Sequence, residues 1–180
     1  MKTLLILRHA KSSLKALNSL DHERPLDELG KYDARNVGYL LRNNDLTPDC
    51  IISSIAIRAK STAEQVAEVC KYKREVVLEQ SLYQSKTKNY LNIIEGISDK
   101  HTRVLLVGHN PTVEEVIEML TDSLDTIRMP PCALAHLNLQ IEKWSDLIKQ
   151  EKINSRVQLV NIWRKEDLPS IENNHKSNSL

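Results

Sequence analysis

Short apolar runs alternate with longer stretches of helical period along most of this chain. Leu4-Leu5-Ile6-Leu7 and Val104-Leu105-Leu106-Val107 are continuous, branched and too short for a helix, which predicts strands buried on both faces. Cys50-Ile51-Ile52 and Val76-Val77-Leu78 predict two further short strands. Between them, apolar positions recur every three to four residues. Ala34, Val37, Leu40 and Leu41 mark a helix from about residue 29 to 41. Ala59, Thr62, Ala63, Val66, Ala67 and Cys70 mark a second over 58–70, and Leu91, Ile94 and Ile97 a third over 90–97. Val113, Val116, Ile117 and Leu120 mark a fourth over 111–120, with Pro111 in its first turn, where a missing N–H costs nothing.

The pattern then changes. Ala133, Ala135, Leu137, Leu139 and Ile141 alternate with His136, Asn138 and Gln140, which predicts a strand with one wet face. Residues 157–163 predict the last strand. The polar stretch 168–180 predicts a disordered tail, leaving one domain over 1–167. Strands alternating with helices predict an α/β protein, a three-layer α/β/α sandwich around a mostly parallel central sheet.

Composition narrows this picture. Hydrophobic residues make up 41% of the 180 positions, but there is no Phe and only 2 Trp and 5 Tyr, so Leu, Ile and Val must fill the core. A formal net charge of +1 gives no broad field for nucleic acid or an anionic membrane, so neither is expected as a partner. Cys50, Cys70 and Cys132 are widely spaced with no CxxC, which argues against a disulfide framework and against a zinc site. No signal-peptide pattern is visible, and no apolar run approaches the ~20 residues needed to span a bilayer. A cytoplasmic protein is expected.

The chemistry lies where two buried runs end. Leu7-Arg8-His9-Ala10-Lys11-Ser12 follows the first, and Gly108-His109-Asn110-Pro111 follows the fourth. In an open parallel sheet, ligands bind outside the C-terminal strand edge. Two histidines there, one beside an arginine, suggest phosphoryl chemistry. Such transfer is catalysed by positioning and charge stabilisation, and an arginine fork suits two phosphoryl oxygens. Arg58 follows the second strand at a helix start, where backbone N–H groups also favour an anion, and Arg24 is a third candidate. A neutral imidazole can serve as a nucleophile and become phosphorylated. Arginines and a second histidine would then supply the positive charge, with no metal or other cofactor.

Arg8-His9-Ala10-Lys11-Ser12, Arg24-Pro25-Leu26, Ser53-Ser54 with Arg58-Ala59 and Thr62, Leu82-Tyr83, and Gly108-His109-Asn110-Pro111 occur in one order. Together they resemble the histidine phosphatase superfamily, with its phosphoglycerate-mutase-like fold, and within it the compact SixA-like phosphohistidine phosphatase branch. The resemblance spans about residues 1–163. It implies that His9 is the nucleophile, that Arg8 and Arg58 bind phosphoryl oxygens, and that His109 stabilises the transition state. It makes Arg24, Ser12 and Asn110 further members of the substrate pocket. Larger members use a carboxylic acid to protonate the leaving group, which the SixA-like branch generally lacks; Glu79 is the one carboxylate nominated for that role here. Ile55 stands where the family usually has Pro, and Pro131 near where Thr is common, so two pocket loops differ in shape.

The leading expectation is a phosphatase acting on phosphohistidine in proteins, as in phosphorelay signalling. A small-molecule phosphomonoesterase on the same scaffold is the alternative. A third reading is a non-catalytic phosphoprotein-binding module that kept the pocket. Intact His9, Arg8, Arg58 and His109 speak against the third.

Overall fold

The computed structural model describes residues 1–13, 20–123, 125–147 and 156–169. Lys2–Arg8 (β1), Cys50–Ser54 (β2), Val77–Glu79 (β3), Arg103–Gly108 (β4), Leu134–Leu139 (β5) and Val157–Trp163 (β6) form one sheet in the order β3-β2-β4-β1-β5-β6. β1 to β4 run parallel, and β5 is antiparallel to both of its neighbours. The helices are Glu28–Asn43 (α1), Ile57–Val69 (α2), Thr87–Glu95 (α3) and Thr112–Thr121 (α4).

Side-chain alternation along the buried strands feeds two cores. Leu5, Leu7, Ile51, Leu105 and Val107 pack with Ala34, Val37, Leu41, Ala59, Ala63 and Val66 of α1 and α2. Leu4, Ile6, Ile52, Val104 and Leu106 pack with Tyr90, Ile94, Val113, Val116 and Ile117 of α3 and α4. The strands carry apolar residues at both parities because each face is covered by helices. The result is the three-layer α/β/α arrangement with a mostly parallel sheet.

Register positions the chemistry. β1 and β4 are adjacent, with Leu7 opposite Val107 and Arg8 opposite Gly108. The next residues, His9 and His109, therefore leave the sheet side by side, and the His9 N–H donates to the Gly108 carbonyl at 3.0 Å. α1 starts directly on the segment after His9. Asp27 caps it by accepting from the Gly30 N–H at 2.7 Å, and a Cβ on Gly30 would stand 2.1 Å from the Lys11 carbonyl oxygen. Only glycine allows that approach.

Three expectations need correction. The strand over 133–141 has no continuous wet face: His136 is 9% exposed and stacks on Trp163, ring centroids 6.0 Å apart. β6 pairs outside β5, so β5 is an interior strand; Trp163 of β6 covers His136, while Asn138 is half-buried and Gln140 beyond the strand is exposed. α3 begins at Thr87 and ends at Glu95, so Ile97 is buried beyond the helix instead of within it. Glu79 belongs to β3, an edge strand whose Val77 and Leu78 are exposed. At the chain end, Leu168 packs against the α1/α2 core, and residues 170–180 of the expected tail lie outside the described residues. Cys50, Cys70 and Cys132 are free and buried. Among the described residues, no helix is long and apolar enough to cross a membrane.

Candidate active site

His9 is fixed from two sides. Its Nδ1 lies 2.8 Å from the Ala10 carbonyl oxygen, which can only accept, so Nδ1 carries the ring proton. The lone pair is then on Nε2, where it accepts the Arg58 Nε–H at 3.3 Å. The backbone around the ring is tied to α2 by Thr62. Its hydroxyl accepts the Ala10 N–H at 3.0 Å and donates to the Arg58 carbonyl at 2.6 Å. The His9 carbonyl accepts the Cys132 N–H, joining this turn to the start of β5.

Arg58 comes from the first turn of α2 and is buried. All three of its guanidinium nitrogens are engaged. Nε meets His9, Nη1 donates to the Asp21 carbonyl at 2.6 Å, and Nη2 to Asp21 Oδ2 at 2.9 Å. Asp21 opens a one-turn 3-10 helix over the site, Asp21–Glu23. Its carboxylate also accepts from Arg24 Nη1 at 3.2 Å and from the Tyr83 hydroxyl at 3.1 Å. Arg24 Nη2 reaches Ser12 Oγ at 2.6 Å. Burial raises the Asp21 carboxyl, but the bond and charge of Arg58, with Tyr83 and Arg24, hold it below the usual carboxylate range.

His109 is held differently. Its backbone N–H donates to the Tyr90 hydroxyl at 3.2 Å, and that hydroxyl is why position 108 is glycine: a Cβ there would lie 1.8 Å from it. Its Nε2 lies 2.9 Å from Ser54 Oγ at the end of β2. Ser54 Oγ accepts the Ala56 N–H at 3.3 Å and has its own proton to give to Nε2. With Nε2 accepting from Ser54, Nδ1 bears the ring proton, and among the described residues it is buried without a partner. The His9 and His109 rings are 5.0 Å apart, and Tyr83 meets His109 edge-on at 5.9 Å.

Both imidazoles are neutral near pH 7. Burial pushes His9 down to about 4, helped by the nearby charges of Arg58, Arg8 and Arg24 and opposed by the Ala10 carbonyl. Burial pushes His109 down to about 3, with His9 and Arg58 acting in the same direction. Arg8 Nη1 donates to the Met129 carbonyl at 2.8 Å while its Nε is buried without a partner. Asn110 Nδ2 donates to that same carbonyl at 3.0 Å, so one oxygen pins both strand ends to the loop before β5.

His9, Arg58 and His109 thus come together as the sequence predicts, with Arg8 beside them. Arg24 and Ser12 bond to each other, and Arg24 joins Arg58 through Asp21. Asn110 holds the Met129 loop. Glu79 accepts from the Ser81 hydroxyl and N–H through Oε1, which lowers its carboxyl and makes it the cap of residues 80–82. Asp21, Ser54, Thr62, Tyr83 and Tyr90 were not assigned roles from the sequence. Ser54, Thr62 and Tyr83 stand in the motifs that carry the family resemblance, whereas Asp21 and Tyr90 leave no signal there. Among the described residues no group of three or more His, Cys, Asp or Glu is placed to hold a metal ion.

This geometry can be set beside known proteins. The SixA protein histidine phosphatase, solved with tungstate, superposes with a TM-score of 0.77 at 17% identity, over 92% of this chain and 98% of that one. A protein of Agrobacterium tumefaciens described as a candidate phosphohistidine phosphatase SixA gives 0.75 at 24% identity, over 91% and 97%. An uncharacterised chloroplastic protein of Arabidopsis thaliana is 31% identical over 154 residues, 81% of this chain and 70% of that protein. The model of the histidine phosphatase superfamily (branch 1) matches residues 4–83. That stretch contains Arg8, His9, Arg24 and Arg58; the fold brings His109 to them from outside it. The order of motifs, the sheet that joins them and the family match lead to one assignment: the chain belongs to the histidine phosphatase superfamily.

Proposed function

We propose that this protein is a metal-independent cytoplasmic phosphatase that removes phosphoryl groups from phosphohistidine in proteins, through a covalent phosphohistidine on His9. One observation carries the reading. His9 is neutral, its Nδ1–H is held by the Ala10 carbonyl, and its Nε2 lone pair is turned to Arg58.

In the first step Nε2 of His9 bonds to phosphorus as the substrate's N–P bond breaks. The N–P electron pair returns to the substrate nitrogen, and the ring departs as a neutral imidazole carrying a proton on its other nitrogen. His9 keeps its Nδ1 proton, and the Ala10 carbonyl stabilises the positive charge the ring acquires. Arg58 gives up bonds to Asp21 or His9 to receive phosphoryl oxygens, with Arg8 and the open Nδ1–H of His109 as further donors. In the second step water bonds to phosphorus, the P–N pair returns to Nε2, and both water protons leave with the phosphate. An imidazole leaving group of this kind needs no carboxylic acid, which suits a site where Glu79 is occupied as a cap.

The test is single-turnover trapping with phosphoramidate in the presence of chelator, quenched in alkali. A base-stable, acid-labile phosphate on His9 is the expected product. Label elsewhere, or active turnover with none trapped, overturns the mechanism. Substrate class is read by comparing a phosphohistidine protein with a sugar phosphate. Preference for the sugar phosphate selects a phosphomonoesterase, and binding without turnover selects a phosphoprotein-binding module.

A further inference from the structure

Beside the phosphoryl site, and sharing only Arg8 with the residues assigned to it, lies a cavity of about 560 Å³. Its walls include Arg8, Glu114, Arg128, Met129 and Arg164. Three guanidinium groups line it with one carboxylate, and that carboxylate is already committed: Glu114 Oε1 accepts the Met129 N–H at 2.7 Å. Arg128 is exposed, and its side chain has no hydrogen-bond or ion-pair partner among the described residues. Arg164 reaches the Arg128 carbonyl through Nη2 at 3.4 Å, and its guanidinium has no carboxylate partner among the described residues. Arg8, which lines both the cavity and the phosphoryl site, has its Nε buried without a partner among the described residues.

The backbone fixes this cavity relative to the chemistry. Met129, in its wall, accepts hydrogen bonds from both Arg8 and Asn110, the neighbours of the two site histidines. A substrate whose phosphoryl group sits over His9 therefore has room beside it, on the β5 side, for a second negatively charged group. The volume exceeds what one small anion fills and suits side chains of a peptide. Arginine forks with spare donors recognise carboxylates in pairs of hydrogen bonds.

We propose that this cavity is a recognition subsite for acidic side chains flanking the phosphohistidine of a protein substrate, with Arg128 and Arg164 as its specificity-determining residues. The proposal rests on the phosphohistidine-protein reading above and adds a preference to it.

Steady-state kinetics test it with three substrates: phosphoramidate, a phosphohistidine peptide with Glu on both flanks, and the same peptide with Gln there. The wild type should show a KM about three- to fivefold lower for the Glu peptide, the scale of an exposed ion pair, and the preference should shrink as salt rises. Arg128→Glu and, separately, Arg164→Ala should erase or reverse it while leaving kcat/KM on phosphoramidate unchanged, which also reports correct folding. Equal KM for the two peptides in the wild type, or a preference that survives both substitutions, overturns the subsite. Turnover of the peptides reports on the substrate reading. Should neither peptide be turned over, inhibition of phosphoramidate hydrolysis by the unphosphorylated Glu peptide decides the subsite alone. Inhibition that is lost in Arg128→Glu supports it, and no inhibition beyond that of the Gln peptide refutes it.

Discussion

At the end of β1, His9 donates through Nδ1 to the carbonyl of its own neighbour Ala10 and leaves Nε2 against Arg58. At the end of β4, His109 meets Ser54 through Nε2 and leaves Nδ1 buried without a partner among the described residues. The two rings sit in the same register, 5.0 Å apart, and burial holds both neutral. What separates them is which nitrogen is open and what it can do. A lone pair beside a guanidinium is a nucleophile placed next to the charge its target will carry. An open N–H is a donor for the oxygens of that target. In the proposed mechanism the division of labour comes from Ala10 and Ser54, and the strand ends alone do not determine it.

The sharpest way to break this comparison is to remove each ring in turn. His9→Ala should abolish turnover by roughly 10⁴-fold or more and leave no trapped phosphoenzyme, as expected when a nucleophile is deleted. His109→Ala should cost about 10²- to 10³-fold in kcat, the scale of losing one donor to a developing negative charge. It should still accumulate phosphate on His9 under single-turnover trapping. If the His109 variant traps nothing while the His9 variant does, the roles are reversed.

Much of this asymmetry was hidden from the sequence. The apolar runs Leu4–Leu7 and Val104–Val107 mark two buried strands, and their endings locate both histidines. Helical spacing places Arg58 at the start of α2. Those readings succeed because periodicity and a sheet's C-terminal edge are local properties of the chain. The alternation at 133–141 misleads because it records only the strand's own residues, whereas the burial of His136 depends on Trp163 from β6. Asp21 escapes for a related reason. Asp21 is exposed and sits in a polar loop like many others, and its importance arises only when the fold folds that loop onto Arg58 and Tyr83. Glu79 shows the converse: a carboxylate beside a strand looks available until Ser81 is seen to occupy it.

The arginine against the His9 ring gives the next test. Hydrogen bonds to charged groups are worth about 1.5–3 kcal/mol, so Arg58→Ala should lower kcat/KM roughly tenfold to more than a hundredfold. Arg8→Ala should cost at least as much. A fully active Arg58→Ala enzyme would mean that the phosphoryl group is bound elsewhere.

Protonation offers a milder and reversible perturbation. A histidine whose pKa is depressed in the folded state takes its proton first in the unfolded chain. Its neutral ring therefore favours the fold fully above the ordinary value of 6.5, and that contribution is lost as pH falls toward about 4 for His9 and about 3 for His109. Imidazole NMR titration should show two rings with these low midpoints, and the unfolding temperature should decline across the same acid window. Activity should stay level from pH 7 to 5 and fall about twofold by pH 4, where half of His9 is protonated. A midpoint near 6.5 for either ring would show that its site is wetter than the geometry here.

The smallest expected effect separates the rings most cleanly. Ser54 is fully buried, and its hydroxyl serves His109 Nε2 while also accepting the Ala56 N–H. Ser54→Ala removes one neutral hydrogen bond, worth about 0.5–1.5 kcal/mol, and no charge. It frees His109 to exchange tautomers, so the proton is no longer held on Nδ1. Turnover should drop roughly two- to tenfold, with KM nearly unchanged, because a donor that matters most in the transition state acts on kcat. The His9 titration midpoint should stay near 4, since its own anchors, the Ala10 carbonyl and Arg58, are untouched. A His9 midpoint that moves with Ser54 would show that the two rings are one coupled unit, and the contrast between the strand ends would then have to be redrawn around a shared proton.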